Sequence, residues 1–345
     1  MEKILTIVIP TYNMQDYLRR CLDSLIVPEE QMKQLEVLVV NDGSKDDSSA
    51  IAHEYQDKYP DTFRVIDKEN GNYGSCVNRG LKEATGKYIK VLDADDWFDA
   101  EGFEQFIKKL QTLDVDVVFS DFNVVNVVDG TIKKWKIICP KNKIIGLEDV
   151  LNVHPLGVMM HSVCYRTAMV RSISYKQPEG ISYTDQIWIN EPMANAKTIY
   201  YYPIMVYQYM VGREGQTVDP NVSARNIKHH IGCAIEMIKA ISRVPANTIQ
   251  QEFLKRRAEH TINGIYLMFL ANNKLDMSIL SDFDDEIKNL SPCVYDDLDK
   301  VVLHPFLRFH YVKKWRKNHT PFTQTELILL KASSILYKFF YRKSR

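Results

Sequence analysis

The sequence contains no apolar run long enough to cross a bilayer. A membrane-spanning helix needs about 20 mainly apolar residues, and polar or charged side chains interrupt every stretch of this 345-residue chain before that length. The amino-terminal run MEKILTIVIP is short and meets Pro10 without a small-residue cleavage site, so it is not typical of a signal peptide. These absences predict a cytoplasmic protein.

Several motifs that would define other classes of protein are also missing. The six cysteines form no C-x-x-C pair and have no histidine at zinc spacing, so we interpret them as reduced core thiols. No G-x-G-x-x-G follows the first predicted strand, which excludes a nicotinamide dinucleotide domain, and no G-x-x-x-x-G-K-[ST] is present, which excludes a P-loop.

The charges balance but are unevenly distributed. Ten Lys and Arg residues and a single acid, Glu326, fall within residues 301–345, which leaves 34 basic and 43 acidic residues in the rest of the chain. The basic end predicts an anionic partner, either a membrane surface or a nucleic acid. As a helix, its last residues would gather basic side chains on one side and could lie on an anionic membrane; packing onto the protein is the open alternative.

The first 120 residues alternate between strand and helix signals. Short β-rich runs occur at residues 5–10, 36–40, 63–67 and 87–92, with helical periodicity between them. This alternation predicts a mostly parallel sheet flanked by helices, with the carboxyl ends of the strands at one ligand-binding edge. Polar turns TYN, NDGS and DADD follow the first, second and fourth strands.

The rest of the chain changes character. A hairpin with an Asp129-Gly130 turn is predicted within residues 116–138, further strands at 161–167 and 198–211, and a helix at 184–196. Beyond about residue 220 the pattern is helical to the end.

The stretch KVLDADDW places three carboxylates directly after a predicted buried strand. Carboxylates this close raise each other's pKa values, and a hard divalent cation would relieve the repulsion. Such an ion, Mg²⁺ or Mn²⁺, would also neutralise phosphates. A solvated turn that caps the next helix explains this motif equally well when it is taken alone.

Four segments resemble, in order and spacing, the nucleotide-sugar domain of family 2 glycosyltransferases, which are inverting enzymes of the GT-A fold: TIVIPTYN, EVLVVNDGS, ENGNYGSCVNRGL and YIKVLDADDW. The resemblance covers residues 4–110 and continues more weakly through YTDQIW and VGREGQT. It implies a GT-A domain over 1–218, with a nucleotide half at 1–110 and an acceptor half at 111–218. A helical region with the basic tail would occupy 219–345.

The resemblance implies a base pocket lined by Pro10, Thr11 and Tyr12, with Asp42 accepting a hydrogen bond from uracil N3. It places Asn70 against the nucleotide from the Gly-rich turn.

The acidic cluster receives the remaining donor-side roles in this resemblance. Asp93 and Ala94 would contact the nucleotide, Asp95 would bind the metal that bridges the diphosphate, and Asp96 would lie near the donor sugar's hydroxyls.

Four further residues are candidates with open alternatives. Many family members have the sequence A-R-N-x-G where this chain has C-V-N-R-G. The position of their arginine is therefore occupied by Val77 in this chain. Arg79 lies two residues further on, so it would have to reach a phosphate from another face of the helix. Asp185 in YTDQIW matches the family's general base or is a helix-capping acid. Arg213 is either a side chain that binds the phosphates of the donor or an ordinary surface side chain. His161 either lines the active site or lies in the core.

We therefore expect a metal-dependent inverting glycosyltransferase that moves a hexosyl or N-acetylhexosaminyl group from a UDP-sugar to a bacterial cell-surface glycan or lipid-linked acceptor. The tail would permit peripheral contact with the inner face of the membrane. A sugar-nucleotide pyrophosphorylase is disfavoured because PTYNMQDYLRR lacks a Gly-rich loop after the first strand. The remaining alternative is a non-catalytic protein that binds nucleotide-sugar, or binds nucleic acid through its basic tail.

Overall fold

The computed structural model describes residues 2–153, 155–213, 216, 220–272, 274–302 and 309–341. In these ranges ten strands form one sheet: β1 (Leu5–Thr11), β2 (Leu35–Asn41), β3 (Phe63–Asp67), β4 (Tyr88–Val91), β5 (Trp97–Phe98), β6 (Val117–Asn126), β7 (Ile132–Trp135), β8 (Ile144–Ile145), β9 (Val163–Arg166) and β10 (Ile199–Val211).

The helices within these ranges surround the sheet and fill the last third of the chain. They are α1 (Gln15–Asp23), α2 (Glu29–Met32), α3 (Ser48–Lys58), α4 (Asn72–Glu83), α5 (Ala100–Gln111), α6 (Leu147–Val153), α7 (Thr167–Ser172), α8 (Asp185–Trp188), α9 (Glu191–Ala194), α10 (Pro220–Arg225), α11 (Ile227–Ile241), α12 (Ile249–Ala271), α13 (Met277–Leu290), α14 (Pro292–Leu298), α15 (Tyr311–Asn318) and α16 (Gln324–Tyr341). None of them is both long and apolar enough to cross a bilayer.

The sheet is mixed rather than mostly parallel. Its strand order is β3-β2-β1-β4-β9-β6-β10-β5, with β7 on β6 and β8 on β10. The first four strands are parallel, as predicted. However, β9 inserts antiparallel between β4 and β6, and β5, β7 and β8 also pair antiparallel. The predicted helix over 184–196 is two short helices, α8 and α9; Pro192, which has no N–H to donate, lies in the first turn of the second.

The carboxyl ends of β1, β2 and β4 lie side by side at one edge of the sheet. Thr11 pairs with Asn41, and the backbone N–H of Asp42 donates to the Thr11 carbonyl at 2.8 Å. Just past β4, the N–H of Leu92 donates to the Val8 carbonyl at 3.0 Å. The polar turns after these strands therefore open onto the same edge, as the strand–helix alternation predicts.

Two apolar layers cover the two faces of the sheet. Along β1, Ile7 and Ile9 point into the layer that contains α1, α3 and α5, whereas Val8 points into the opposite layer with α4. All three side chains are completely buried. Burial of an aliphatic side chain of this kind stabilises a fold by roughly 1.5–3 kcal/mol.

The helices after residue 219 extend the second apolar layer. Ile238 of α11, Phe253 of α12 and Trp315 of α15 belong to the same contiguous buried cluster as Val77 of α4 and Trp188 of α8. The change of sequence pattern near residue 218 therefore does not coincide with a break in the core.

Candidate active site

The acidic turn after β4 is clamped by strand β10. Asp96 is 1% exposed; its Oδ2 accepts a hydrogen bond from the Tyr207 hydroxyl at 2.6 Å, and its Oδ1 accepts from the Met210 N–H at 2.7 Å. The Tyr207 hydroxyl also accepts a hydrogen bond from the Asp93 N–H at 3.1 Å. One tyrosine thus links the Asp96 carboxylate to the Asp93 backbone.

Both carboxyl groups hold their protons more tightly than usual. Burial, and then the charges of Asp95 and Asp185, raise the pKa of Asp93 to about 7. Burial and the charges of Asp95 and Asp93 likewise raise the pKa of Asp96 well above its ordinary range. The Tyr73 hydroxyl donates to Asp93 Oδ1 at 3.1 Å and relieves part of this repulsion. If all of its carboxyl groups were ionised, the cluster would therefore carry more negative charge than its protein partners neutralise.

Asp95 differs from its neighbours because it has an arginine partner. Its Oδ2 lies 2.7 Å from Arg213 Nε, and its carbonyl accepts from Arg20 Nη2 at 3.0 Å. Arg213 also lies over the ring of Tyr17. The structure thus brings Arg213 to the acidic cluster, although the rest of its motif falls partly outside the described residues.

His161 approaches the acidic cluster from the other side. Its ring stacks on Tyr209 with centroids 4.2 Å apart, and its Nδ1 is buried without a hydrogen-bond partner among the described residues. Burial, and then the charge of Lys90, lower the pKa of His161 to about 3, so the imidazole is neutral. One ligand atom each from His161, Asp93 and Asp96 lies within 4.8 Å of the others.

A buried lysine holds His161 in this position. Lys90 in β4 is completely buried, and its Nζ donates to the carbonyl of His161 at 2.7 Å and to that of Val163 at 3.0 Å. Burial lowers the pKa of Lys90 to about 8. These two bonds tie the short 3₁₀ turn Met160–Ser162 to the strand that carries the acids.

These residues fit a divalent cation. Two carboxylates with raised pKa values and one unpartnered neutral imidazole supply ligands that suit Mn²⁺, whereas Mg²⁺ favours oxygen ligands. Sequence reasoning assigned the metal to Asp95, which here is paired with Arg213, and that assignment stays a prediction. The group of ligand atoms that lie close together contains Asp93, Asp96 and His161.

The turn after β2 is locked to the loop after β3. Asp42 is 3% exposed, and its Oδ1 accepts from Lys68 Nζ at 2.5 Å and from the Gly71 N–H at 2.9 Å. The Asn70 amide donates to the Asp42 carbonyl at 3.0 Å. Gly43 has a φ of +74°, and a Cβ there would lie 3.2 Å from the Asn70 nitrogen, so this close approach requires glycine.

The predicted base-pocket residues, at the end of β1 and just after it, lie beside this turn. Thr11 is buried and its hydroxyl donates to the Ile9 carbonyl at 3.1 Å, whereas Tyr12 is 46% exposed. Pro10 is partly buried, and Ala94 of the acidic turn is 2% exposed. Their nucleotide contacts stay predictions.

Asp185 begins helix α8 and faces the acidic cluster. Its charge contributes to the raised pKa values of Asp93 and Tyr73, which places all three groups within electrostatic range of one another. Burial raises the pKa of Asp185 itself to about 6. Gln186 Nε2 donates to Asp185 Oδ2 at 3.1 Å, and Gln186 Oε1 accepts from Arg257 Nη2 at 3.2 Å.

Arg257 belongs to the helical last third, yet it is only 4% exposed beneath the site. Besides Gln186, its guanidinium donates to the Pro155 carbonyl at 2.9 Å. Burial lowers the pKa of Arg257 to about 10. Sequence reasoning missed this residue, although its position in FLKRRAEH on the apolar stripe of α12 was a signal.

Arg79 lies apart from these groups. Its Nε pairs with Glu83 at 3.0 Å on the exposed side of α4, while Val77 at the family's Arg position is buried. Phosphate contact by Arg79 stays a prediction. Sequence reasoning also missed Tyr73 and Tyr207, because a tyrosine in an aromatic-rich chain signals nothing until its hydroxyl partner is known.

A known family model matches the part of the chain that carries the acidic turn. Residues 6–172 match the family model described as glycosyl transferase family 2. This match, which covers just under half of the chain, confirms the family resemblance that the four motifs carry.

Named relatives agree with this classification. The chain is 30% identical to the glycosyltransferase YibD of Escherichia coli K12 over 218 residues, which is 59% of this chain and 60% of that protein. It is 33% identical to glycosyltransferase GlyA of Streptococcus pneumoniae over 126 residues, which is 36% of this chain and 18% of that protein. It therefore spans less than two thirds of the length of either relative.

Among solved structures, S. aureus TarS 1-349 in complex with UDP-GlcNAc is similar over 93% of both chains, with a TM-score of 0.64 and 19% identity. This likeness confirms the predicted GT-A fold, here with a mixed sheet and a helical carboxyl-terminal region.

Proposed function

We propose that this protein transfers a sugar from a UDP-sugar to an acceptor hydroxyl with inversion at the anomeric carbon. The observation that carries the proposal is the convergence of Asp93, Asp96, His161 and Asp185 beside the Asp42 turn. An inverting transfer needs a place for a diphosphate leaving group and a base on the acceptor side. The acidic cluster and Asp185 are candidates for these two roles.

A uridine nucleotide is supported by the fold and by the resemblance. The structurally similar TarS is in complex with UDP-GlcNAc. In this chain Asp42 would accept a hydrogen bond from the uracil imide, and its bonds to Lys68 and Gly71 already hold the carboxylate in a fixed position. The base would lie between the turns after β1 and β2.

Asp93, Asp96 and His161 would hold a divalent metal ion, with Mn²⁺ the better match to a site containing imidazole. When bound, the ion supplies positive charge that neutralises the diphosphate. Arg213, held at Asp95 by an ion pair, would add a bidentate contact to the same anionic group.

Asp185 would act as the general base that removes the acceptor's proton. Its pKa of about 6 leaves it ionised at neutral pH, yet more basic than an ordinary aspartate. The contacts from Arg257 through Gln186 to Asp185 support this role because they would hold the carboxylate in one position.

The acceptor would be a cell-surface glycan or a lipid-linked precursor, and the carboxyl-terminal helix would permit membrane contact. In α16, Ile328 is 64% and Leu329 47% exposed, and Lys331 is exposed, while Leu327 packs on the core. Basic residues 342, 343 and 345 lie outside the described residues. The tail's role stays a prediction.

A thermal-shift panel of nucleotide sugars with and without Mn²⁺ tests the donor and metal assignments. A bound donor should raise the melting temperature by mass action, and we expect stabilisation by a UDP-sugar only when metal is present. Asp96→Asn should abolish the shift, whereas Asp57→Asn on the exposed face of α3 should preserve it. Equal shifts with GDP-sugars, or shifts independent of metal, would contradict the assignments.

A further inference from the structure

Exposed apolar side chains are concentrated in one short part of the chain. Of the thirteen large apolar residues exposed in the described ranges, eight fall within residues 127–156. Val128 is 77%, Ile132 61% and Ile144 60% exposed. Single exposed apolar residues need no explanation, but such a concentration marks a contact surface.

The same segment is strongly basic. Lys133, Lys134, Lys136, Lys141 and Lys143 are all exposed, and Asp129, at the turn after β6, is the one acid within residues 127–147. Lys133 and Lys134 lie in strand β7, whose four residues are all exposed, and Lys136 follows it directly. With the turn after β6, this strand forms a hairpin. We call residues 127–136 the lysine hairpin.

The base of the lysine hairpin borders the candidate active site. Trp135 stacks on Phe122 with centroids 5.7 Å apart, and Phe122 lies 5.0 Å from the ring of His161. The Trp135 Nε1–H donates to the Gly157 carbonyl at 3.0 Å, which fixes the hairpin to the turn before His161. Whatever binds at the base of the hairpin therefore lies near the acidic cluster.

Two simpler explanations cover only part of this surface. Lysines on an edge strand prevent sheet-to-sheet aggregation, but exposed Val128 and Ile132 on the same hairpin would oppose that purpose. A soluble phosphate-bearing polymer would be attracted by the lysines and would gain nothing from the apolar side chains. A lipid surface with anionic headgroups uses both.

We propose that the lysine hairpin binds the surface of an anionic lipid bilayer. Val128 and Ile132 enter the headgroup boundary, and Lys133, Lys134 and Lys136 lie against the lipid phosphates. The contact places the acidic cluster close to the membrane, where a lipid-attached acceptor would be presented. The binding surface itself does not depend on the proposed transfer reaction.

Flotation of the full chain with phosphatidylcholine vesicles, with and without phosphatidylglycerol, tests this proposal. We expect binding only to the anionic vesicles. Because each lysine near an anionic surface strengthens binding roughly fivefold, K133Q/K134Q/K136Q should weaken it by at least about tenfold. V128S/I132T should weaken it as well, whereas K82Q/K108Q/K228Q, which removes three exposed lysines elsewhere, should not.

Circular dichroism and melting temperature establish that each variant is folded, as the exposure of the substituted side chains predicts. Unchanged flotation of both hairpin variants would overturn the proposal and leave α16 as the binding element. Equal binding to neutral vesicles would also overturn it. So would retention by soluble polyphosphate without vesicle binding, since that outcome identifies a polyanion rather than a bilayer as the partner.

Discussion

The acidic turn and the lysine hairpin, separated by the rings of Phe122 and His161, use charge in opposite ways. The carboxyl groups of the turn are buried or partly buried and repel one another, so they favour a bound cation. The lysines of the hairpin are all exposed, with ordinary access to water. Concentrated buried charge of one sign marks a place for chemistry, whereas exposed charge among apolar side chains marks a surface for contact.

The largest loss of activity is expected when an acid beside the acidic turn is changed, in the variant Asp185→Asn. General acid–base catalysis is worth about 10²–10⁴-fold, so the turnover of the UDP-sugar should fall by that range. The measurement is the rate of UDP release, together with calorimetric titration of the donor. Donor affinity should stay within twofold or so of the parent, because the residue would act on the acceptor. A parental rate of UDP release would remove Asp185 from the mechanism.

A smaller loss is expected for His161→Ala. Removing one ligand from the group with Asp93 and Asp96 should lower Mn²⁺ affinity by at least about tenfold. Electron paramagnetic resonance of free Mn²⁺ in the presence of UDP measures it directly. His319→Asn, at an exposed helix end, is the matched control. If the two variants bind Mn²⁺ equally, His161 is a core residue rather than a ligand.

The pH dependence should show a more modest change. Because burial raises the pKa of Asp185 to about 6, its base form is lost as the pH falls through that value. At saturating Mn²⁺, which would keep the proposed ligands Asp93 and Asp96 ionised, the rate at limiting acceptor should therefore decline by about tenfold for each pH unit below 6 and level off above it. A profile whose acidic limb lies near the pKa of a free aspartate would show that the buried carboxylate is not the base.

The smallest effect is expected for Lys90→Met, which keeps the volume of the side chain but removes its bonds to the His161 and Val163 carbonyls. Leaving buried carbonyls without partners costs about 1–3 kcal/mol. We expect a melting temperature lower by a few degrees and a few-fold weaker Mn²⁺ affinity. Mn²⁺ binding that is unchanged despite the lower melting temperature would limit Lys90 to a structural role.

Local sequence patterns predicted the strands of residues 1–95 well. The first four strands, their parallel order and the shared edge at Thr11, Asp42 and Leu92 follow from strand–helix alternation and the crossover rule. The antiparallel insertion of β9 could not be predicted in this way. Its partners, β4 and β6, are chosen by packing between segments distant in the chain, and strand propensity alone does not specify them.

The candidate site shows the same division. The acids after β4 were evident as a run of carboxylates, but their individual partners were not. Arg213 reaches Asp95 across 118 positions of sequence and Tyr207 reaches Asp96 across 111, so only the folded chain reveals which acid is neutralised by arginine. His161 belongs to no motif, and its place beside Asp93 depends on the bonds from Lys90.

The buried guanidinium of Arg257 has a practical consequence for dissecting this enzyme. A fragment ending near residue 218 would retain every recognisable motif, yet it would expose the apolar wall around Trp188 to solvent and leave Gln186 without its cationic neighbour. Such a truncation would test solubility rather than catalysis. A chimaera in which the last third comes from a related enzyme would need an arginine at the position of Arg257.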